Sequence, residues 1–214
     1  MMWVKSLSLL FMASVWALST VAQASATQAW RFKVYLDDQE IGQHTFKVIE
    51  QDNTRYVAVQ ASFDVTVLFF TAYRYQHSNF EVWQGDCLQA IQSETNDNGE
   101  NEFVQGQMNE NVLRLHTSQG EEQFKGCIKT FAYWDPSFLT SKKLLNSQTG
   151  ELLPVDTIDL GKVEIDVHGK TIMARRYRVI TDQFSIDLWY SLQREWLALQ
   201  STTSDGAVLR YQRQ

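Results

Sequence analysis

The chain has 214 residues, with 19 basic and 25 acidic side chains, a formal charge of −6, 13% aromatic residues and two prolines. No basic run is present that can neutralise a phosphate backbone, which excludes nucleic acid as a partner, and the aromatic-rich, proline-poor make-up excludes a disordered tail or linker. The length suits one domain with one core.

At the N-terminus, Lys5 supplies a positive charge, Ser6 to Ala22 is apolar or small, and Ala22-Gln23-Ala24 is a small-x-small cleavage site. The pattern predicts an export signal over residues 1–24, cleavage after Ala24, and a periplasmic mature domain over 25–214. The apolar stretch is too short for a comfortable spanning helix, and no cysteine near the cut offers a lipid anchor. The cleaved chain is therefore not expected to be an integral membrane protein.

Period-two alternation then recurs to the end of the chain, as in half-buried strands. Trp30, Phe32, Val34 and Leu36 alternate with Arg31, Lys33 and Tyr35, and Val57, Val59, Ala61, Phe63, Val65, Val67 and Phe69 form a longer stripe. Further strands are predicted near Ile41–Glu50, Ala72–Trp83, Leu88–Thr95, Glu102–Met108, Val112–Thr117, Val163–Val167, Ile172–Thr181, Phe184–Ser191, Leu197–Thr203 and Val208–Gln212. Turn signals separate them: Asp37-Asp38, Asp52-Asn53, Asn98-Gly99, Gln119-Gly120, His168-Gly169 and Asp205-Gly206. One short helix is predicted near residues 136–145, with Asp135 as cap and Pro136 in its first turn. The sum is an all-β, mainly antiparallel fold: a curled β-meander forming an open or closed barrel, which disposes of its edges by curling.

The two cysteines, Cys87 and Cys127, form a disulfide by default in an oxidising compartment. Geometry raises an objection. The ends of a flat four-strand meander lie about 14 Å apart at the usual strand spacing, whereas bridged Cα atoms lie within about 7 Å. Curling of the sheet or a loop excursion resolves this; two buried free thiols are the alternative.

The stretches Tyr73-Arg74-Tyr75-Gln76-His77, Glu81-Val82-Trp83, Thr95-Asn96-Asp97-Asn98-Gly99, Thr130-Phe131-Ala132-Tyr133-Trp134, Leu144 to Gly150 and Leu188-Trp189-Tyr190 resemble a family of uncharacterised exported bacterial proteins, over essentially the whole mature chain. More distantly, the strand-rich layout resembles that of open-barrel periplasmic lipid or lipoprotein carriers. The first resemblance implies a fold and a compartment but no activity.

Chemistry is best sought on the strand near 72–83. Alternation puts Tyr73, Tyr75, His77, Asn79, Glu81 and Trp83 on one face, a mixture of rings and hydrogen-bonding heads suited to a ligand with a polar end. The same face also suits a buried polar network that fixes register. His77 and Glu81 stand about 13 Å apart along the strand, too far for a direct acid–base dyad. The histidines are scattered at His44, His77, His116 and His168 without metal-ligand spacing, so no metal and no cofactor is expected. Glu94 to Gly99 loosely imitates a calcium loop, but Asn98-Gly99 between alternating strands reads as a hairpin.

The leading expectation is a non-enzymatic binder of an apolar or amphipathic, lipid-like ligand in a concave sheet, contacted by Tyr73, Tyr75, His77, Glu81 and Trp83. The alternatives are an envelope accessory protein that docks another envelope protein, and an enzyme with His77 or Glu81 as acid–base and Tyr73 or Tyr75 as donors. An outer-membrane barrel fits less well, because the chain ends Arg213-Gln214 without a terminal aromatic. The compartment is directly testable: sequencing the mature protein from the envelope fraction should give Ser25 as its first residue, and a retained Met1 in membrane pellets refutes cleavage.

Overall fold

The computed structural model describes residues 25–67, 70–203 and 206–214; the stretch 1–24 read as an export signal, Phe69 of the long apolar stripe and Asp205 of the expected Asp205-Gly206 turn lie outside the described residues. The chain opens with eight strands in sequence: β1 (Ala26–Leu36), β2 (Gln39–Gln51), β3 (Thr54–Val67), β4 (Phe70–Gln84), β5 (Cys87–Asp97), β6 (Glu100–Asn109), β7 (Val112–Thr117) and β8 (Gly120–Lys125). After a connecting segment, β11 (Asp156–Val167), β12 (Lys170–Ile180), β13 (Ser185–Ser191), β14 (Trp196–Thr202) and β15 (Val208–Arg213) complete one 13-stranded antiparallel sheet in the order β11-β12-β13-β14-β15-β1-β2-β3-β4-β5-β6-β7-β8. The chain thus enters in the middle of the sheet, meanders out to one edge, crosses to the other edge and meanders back. β15 lies against β1, with Phe32 opposite Arg213 and Val34 opposite Tyr211. The outermost strands β8 and β11 do not pair with each other, so the barrel is open.

Local chemistry explains the hairpins. Asp52 and Asn53 (φ 50° and 62°) and Asn98 and Gly99 (φ 51° and 100°) take the left-handed conformations that tight two-residue turns demand, as do His168 and Gly169. Asn98-Gly99 is therefore a hairpin turn, and His168 belongs to one as well. A similar turn at Glu110-Asn111 carries no glycine to announce it in the sequence. Gly42 (φ 153°) sits where β2 approaches β3 so closely that a Cβ would lie 1.9 Å from the Ser62 carbonyl oxygen.

The alternating apolar residues face inward. Phe32, Val34, Val57, Leu88, Leu113 and Leu188 are fully buried, and Trp196 of β14 meets Phe32 at 4.3 Å and Phe46 at 4.9 Å between ring centres. The core is completed by the segment from 126 to 155, which links the two sheet edges. Its Ile128, Ala132, Trp134, Phe138, Leu144, Leu145 and Val155 belong to the same core as the strands. The segment touches inward faces on opposite parts of the sheet: Thr130 meets Glu81 of β4, whereas Tyr133 accepts a hydrogen bond from Tyr190 Oη of β13 at 2.8 Å through its backbone oxygen. A sheet that contacts one segment from both sides is wrapped around it.

Three details differ from the pattern read along the chain. The helix is a single 3-10 turn over Pro136–Thr140, capped by Asp135, whose Oδ1 accepts from the Ser137 amide at 2.9 Å. It stops there because Leu144 and Leu145 are drawn into β9 (Lys143–Leu145), which pairs with β10 (Leu152–Pro154). β8, with the sequence GEEQFK, lacks alternation and is specified by its pairing with β7. The strands β9 and β10 have three residues each, too few to show a period.

Cys87 and Cys127 are bridged, with Cα atoms 4.9 Å apart. Four strands do separate them, but Cys127 is not on the last of these; it follows β8 on the segment that doubles back, where the Leu88 amide donates to the Ile128 oxygen at 2.9 Å. The loop excursion resolves the geometric objection. Replacing both cysteines by alanine should lower the unfolding free energy by roughly 4 kcal/mol, the chain-entropy value for a loop of this length. Denaturant titration of the variant against the oxidised protein measures it, and non-reducing digestion should recover the two cysteines in one linked peptide pair.

Candidate functional site

Between the concave face of the sheet and the 126–155 segment lies a cavity of about 750 Å³. Its rim carries the exposed Asp97 and the half-buried Leu36, Val65, Tyr73 and Leu209; deeper in, it reaches Phe46, Val59 and Trp134. Two walls differ in character. The wall formed by β13 to β15 and their flanks is mainly apolar, with Phe184, Ile186, Leu199 and Leu209 beside Ser201, Thr203 and Tyr211. The opposite wall is the inward face of β4, from which Tyr73, Tyr75, His77, Asn79 and Glu81 line the space in succession, faced by Thr130, Asn146, Ser147 and Gln148 of the crossing segment.

Alternation along β4 is what aligns these groups. His77, Asn79, Glu81 and Trp83 are all buried, whereas of the residues between them Ser78 and Phe80 are exposed and Val82 is half-buried. Trp83 is set apart from the other residues expected to bind: it shares their face but does not line the cavity. Its Nε1 donates to Glu81 Oε2 at 2.7 Å, its ring meets Trp134 edge-on at 5.7 Å, and the Arg55 guanidinium lies over both indoles. The strand runs past the floor of the cavity, so its last inward residue supports the floor instead of facing the space.

The polar groups are partnered locally. His77 Nδ1 is 2.8 Å from Thr95 Oγ1 on β5. Glu81 accepts from Asn79 Nδ2 at 2.9 Å, from Trp83 Nε1 and from Thr130 Oγ1. The hydrogen bonds of His77 and Glu81 thus go to different partners, and the two form no dyad. Sequence reasoning did not single out His44 and Tyr211. His44 Nδ1 lies 2.9 Å from Tyr211 Oη inside the cavity wall, joining β2 to β15 across the middle of the sheet. The signal was present, since His44 shares the inward phase of Phe46 and Val48. His44 Nε2 and Asn79 Oδ1, both on side chains of the cavity wall, are buried without a hydrogen-bond partner, an arrangement that costs about 1–3 kcal/mol per group.

Burial controls the charges here. It lowers the His77 pKa from 6.5 to about 4; burial, followed by the proximity of His77, lowers His44 to about 3. Burial also raises the Glu81 carboxyl, outweighing the opposing hydrogen bonds from Asn79, Trp83 and Thr130. The Tyr75 hydroxyl is pushed up by burial and by nearby Tyr73 and Asp97. Both histidines are accordingly neutral at pH 7.

The histidine shifts predict an acid-sensitive fold. Below pH 6.5 the unfolded chain takes up protons that folded His77 refuses until about pH 4 and folded His44 until about pH 3. Stability therefore falls as pH falls, by about 1.4 kcal/mol per pH unit for each histidine. Glu81 acts with the opposite sign, which cancels when variant and parent are compared. Urea titrations between pH 6 and pH 4.5 should show His77→Gln losing less stability than the parent by about that slope; equal slopes refute a neutral buried His77.

Comparison with known proteins places the fold. No curated protein matches the chain. Among solved structures, it is similar to a beta-barrel-like protein of domain of unknown function DUF1849 from Brucella abortus, with a TM-score of 0.62 at 8% identity, covering 87% of this chain and 94% of that one. At that identity the likeness concerns the fold, and it agrees with an open barrel. The family model for DUF6134, a domain of unknown function, matches residues 32–214, and the chain belongs to that family.

Proposed function

We propose that the protein is an exported, non-enzymatic binder of an amphipathic, lipid-like molecule, held in the cavity between the curled sheet and the crossing segment. The observation that carries this reading is the cavity itself: about 750 Å³, with one mainly apolar wall and one wall of hydrogen-bonding groups. That volume lies in the usual range for small-molecule sites, which are mostly apolar with a few convergent polar groups. The apolar wall would bury the body of the ligand, and the β4 face, from Tyr73 to Glu81, would orient its polar end. The unpaired polar atoms of His44 and Asn79 support the reading, because native structures seldom leave such groups unmatched. The Cys87–Cys127 bridge suits an oxidising compartment such as the periplasm.

Leu209 provides the test. It is half-buried on the apolar wall, and a tryptophan at that position fills space that a ligand needs. The parent protein should bind the uncharged fluorophore N-phenylnaphthylamine with enhanced emission. Leu209→Trp should weaken binding by roughly tenfold or more, comparable to losing the burial of one large side chain, while Lys170→Ala at the exposed start of β12 changes nothing. A folded Leu209→Trp variant that binds the fluorophore like the parent overturns the proposal.

A further inference from the structure

The charge inventory of the cavity narrows the class of ligand, an inference that rests on the binding role proposed above. We infer that the cavity selects an amphiphile whose head is uncharged and bears hydroxyl groups, as in a monoacylglycerol, and disfavours lipids with anionic heads such as fatty acids and phospholipids.

Among the described residues that line the cavity, none is a lysine or arginine. Arg55, which packs over the ring of the lining residue Trp134, is itself outside the lining and is engaged by Asp135 at 2.7 Å and by the Gly85 oxygen. An anionic head drawn inside would lose its hydration with no cation to replace it, and an unpaired buried charge is among the most costly arrangements in a protein. Neither acid of the lining offers an anion a countercharge. Asp97 stands exposed at the rim beside Tyr73, and Glu81 lies deep in the wall.

A cationic head gains little. Both oxygens of Glu81 already accept hydrogen bonds from Asn79, Trp83 and Thr130, and Asp97 faces water, where its charge is screened. Nor do the rings of the polar wall form an open cage for a cation. Phe63 stacks on Tyr75 at 5.2 Å, and Tyr75 on His77 at 6.4 Å, so the faces are turned toward one another. What this wall offers is groups that both donate and accept without carrying charge: the Tyr73 and Tyr75 hydroxyls, the His77 imidazole, and Ser147 and Gln148 across the gap. Hydroxyl groups match such a lining, since each can donate to one partner and accept from another.

The experiment uses four amphiphiles with the same saturated fourteen-carbon chain: monomyristoylglycerol, myristate, tetradecyl phosphate and tetradecyltrimethylammonium. Each competes for N-phenylnaphthylamine on the full mature protein at pH 7, below its critical micelle concentration. The glycerol head should displace the fluorophore at roughly tenfold lower concentration than any charged head. Equal potency across the series, or a charged head binding tightest, overturns the head-group inference while leaving the cavity reading intact. Absence of fluorophore binding by the parent overturns both. A second variant probes the cause: Gln148→Lys places a cation on the polar wall and should improve myristate and tetradecyl phosphate by roughly tenfold without improving tetradecyltrimethylammonium. Unchanged anion binding in a folded Gln148→Lys protein shows that the head does not meet this wall, and the inference falls.

Discussion

The structure depends on how the chain gets from one edge of its sheet to the other. The β1–β8 meander runs outward from the middle until it reaches β8, and the next strand of the sheet, β11, belongs on the opposite edge. Residues 126–155 make the connection through the inside. A segment with Ile128, Trp134, Phe138, Leu144 and Leu145 has too much apolar surface to remain in water, and the concave face of a 13-stranded sheet has too much to remain unfilled. Each covers the other. The path is anchored at its start by the Cys87–Cys127 bridge, then by Arg55, whose guanidinium binds Asp135 and lies 4.9 Å from the Trp134 ring centre. Burial works against an ionised Asp135, but the Ser137 amide and Arg55 outweigh it and hold its carboxyl below the ordinary value.

The cavity follows from this arrangement. A tightly coiled insert would fill the barrel; an extended one, with one 3-10 turn and a three-residue strand pair, fills it in part. It packs closely around Trp134 and Phe138 and leaves space between β4 and β15. The backbone of the insert brings its own polar groups into an apolar interior, and those groups must be satisfied. Some are met within the segment: the Leu145 amide donates to the Lys129 oxygen at 2.8 Å, and the Asn146 amide to the Glu151 oxygen at 2.8 Å. Others are met by the sheet, as where Ser93 Oγ donates to the Ser147 backbone oxygen, and the insert's Thr130 hydroxyl donates in turn to Glu81. The buried Ser93 of β5 and Glu81 of β4 are thus partners for the inserted segment, and Glu81 is lining for the cavity as well.

The sheet was legible in the sequence because its signal is local. Alternation in Val57 to Val65 and in Tyr73 to Trp83 reports which face is buried, and Asn98-Gly99 reports a tight turn with a left-handed backbone. β8 was silent because its single inward ring, Phe124, establishes no period; its neighbour β7 holds it. The crossing segment read as a helix because Asp135-Pro136 is a true cap and the apolar residues after it carry no period that distinguishes a helical face from an extended path through a core. The inward face of β4 was legible and the extent of the cavity was not: Trp83 lies beneath the floor because it packs on Trp134 of the crossing segment, and His44 meets Tyr211 through the pairing of β2, β1 and β15, neither of which any local window contains.

The position of β1 has a consequence for the order of folding. Its two neighbours are its immediate successor, β2, and the last strand described, β15, so that Phe32 finds His44 soon after synthesis but waits for Arg213 on the other side. Until β15 arrives, β1 exposes a row of unpaired amides and carbonyls on a strand carrying Trp30, Phe32 and Val34, an edge of the kind that recruits other chains. The β1–β15 seam joins the two halves of the sheet without a covalent link, and such distant pairing forms slowly. The half-built sheet is therefore most adhesive along what becomes its centre.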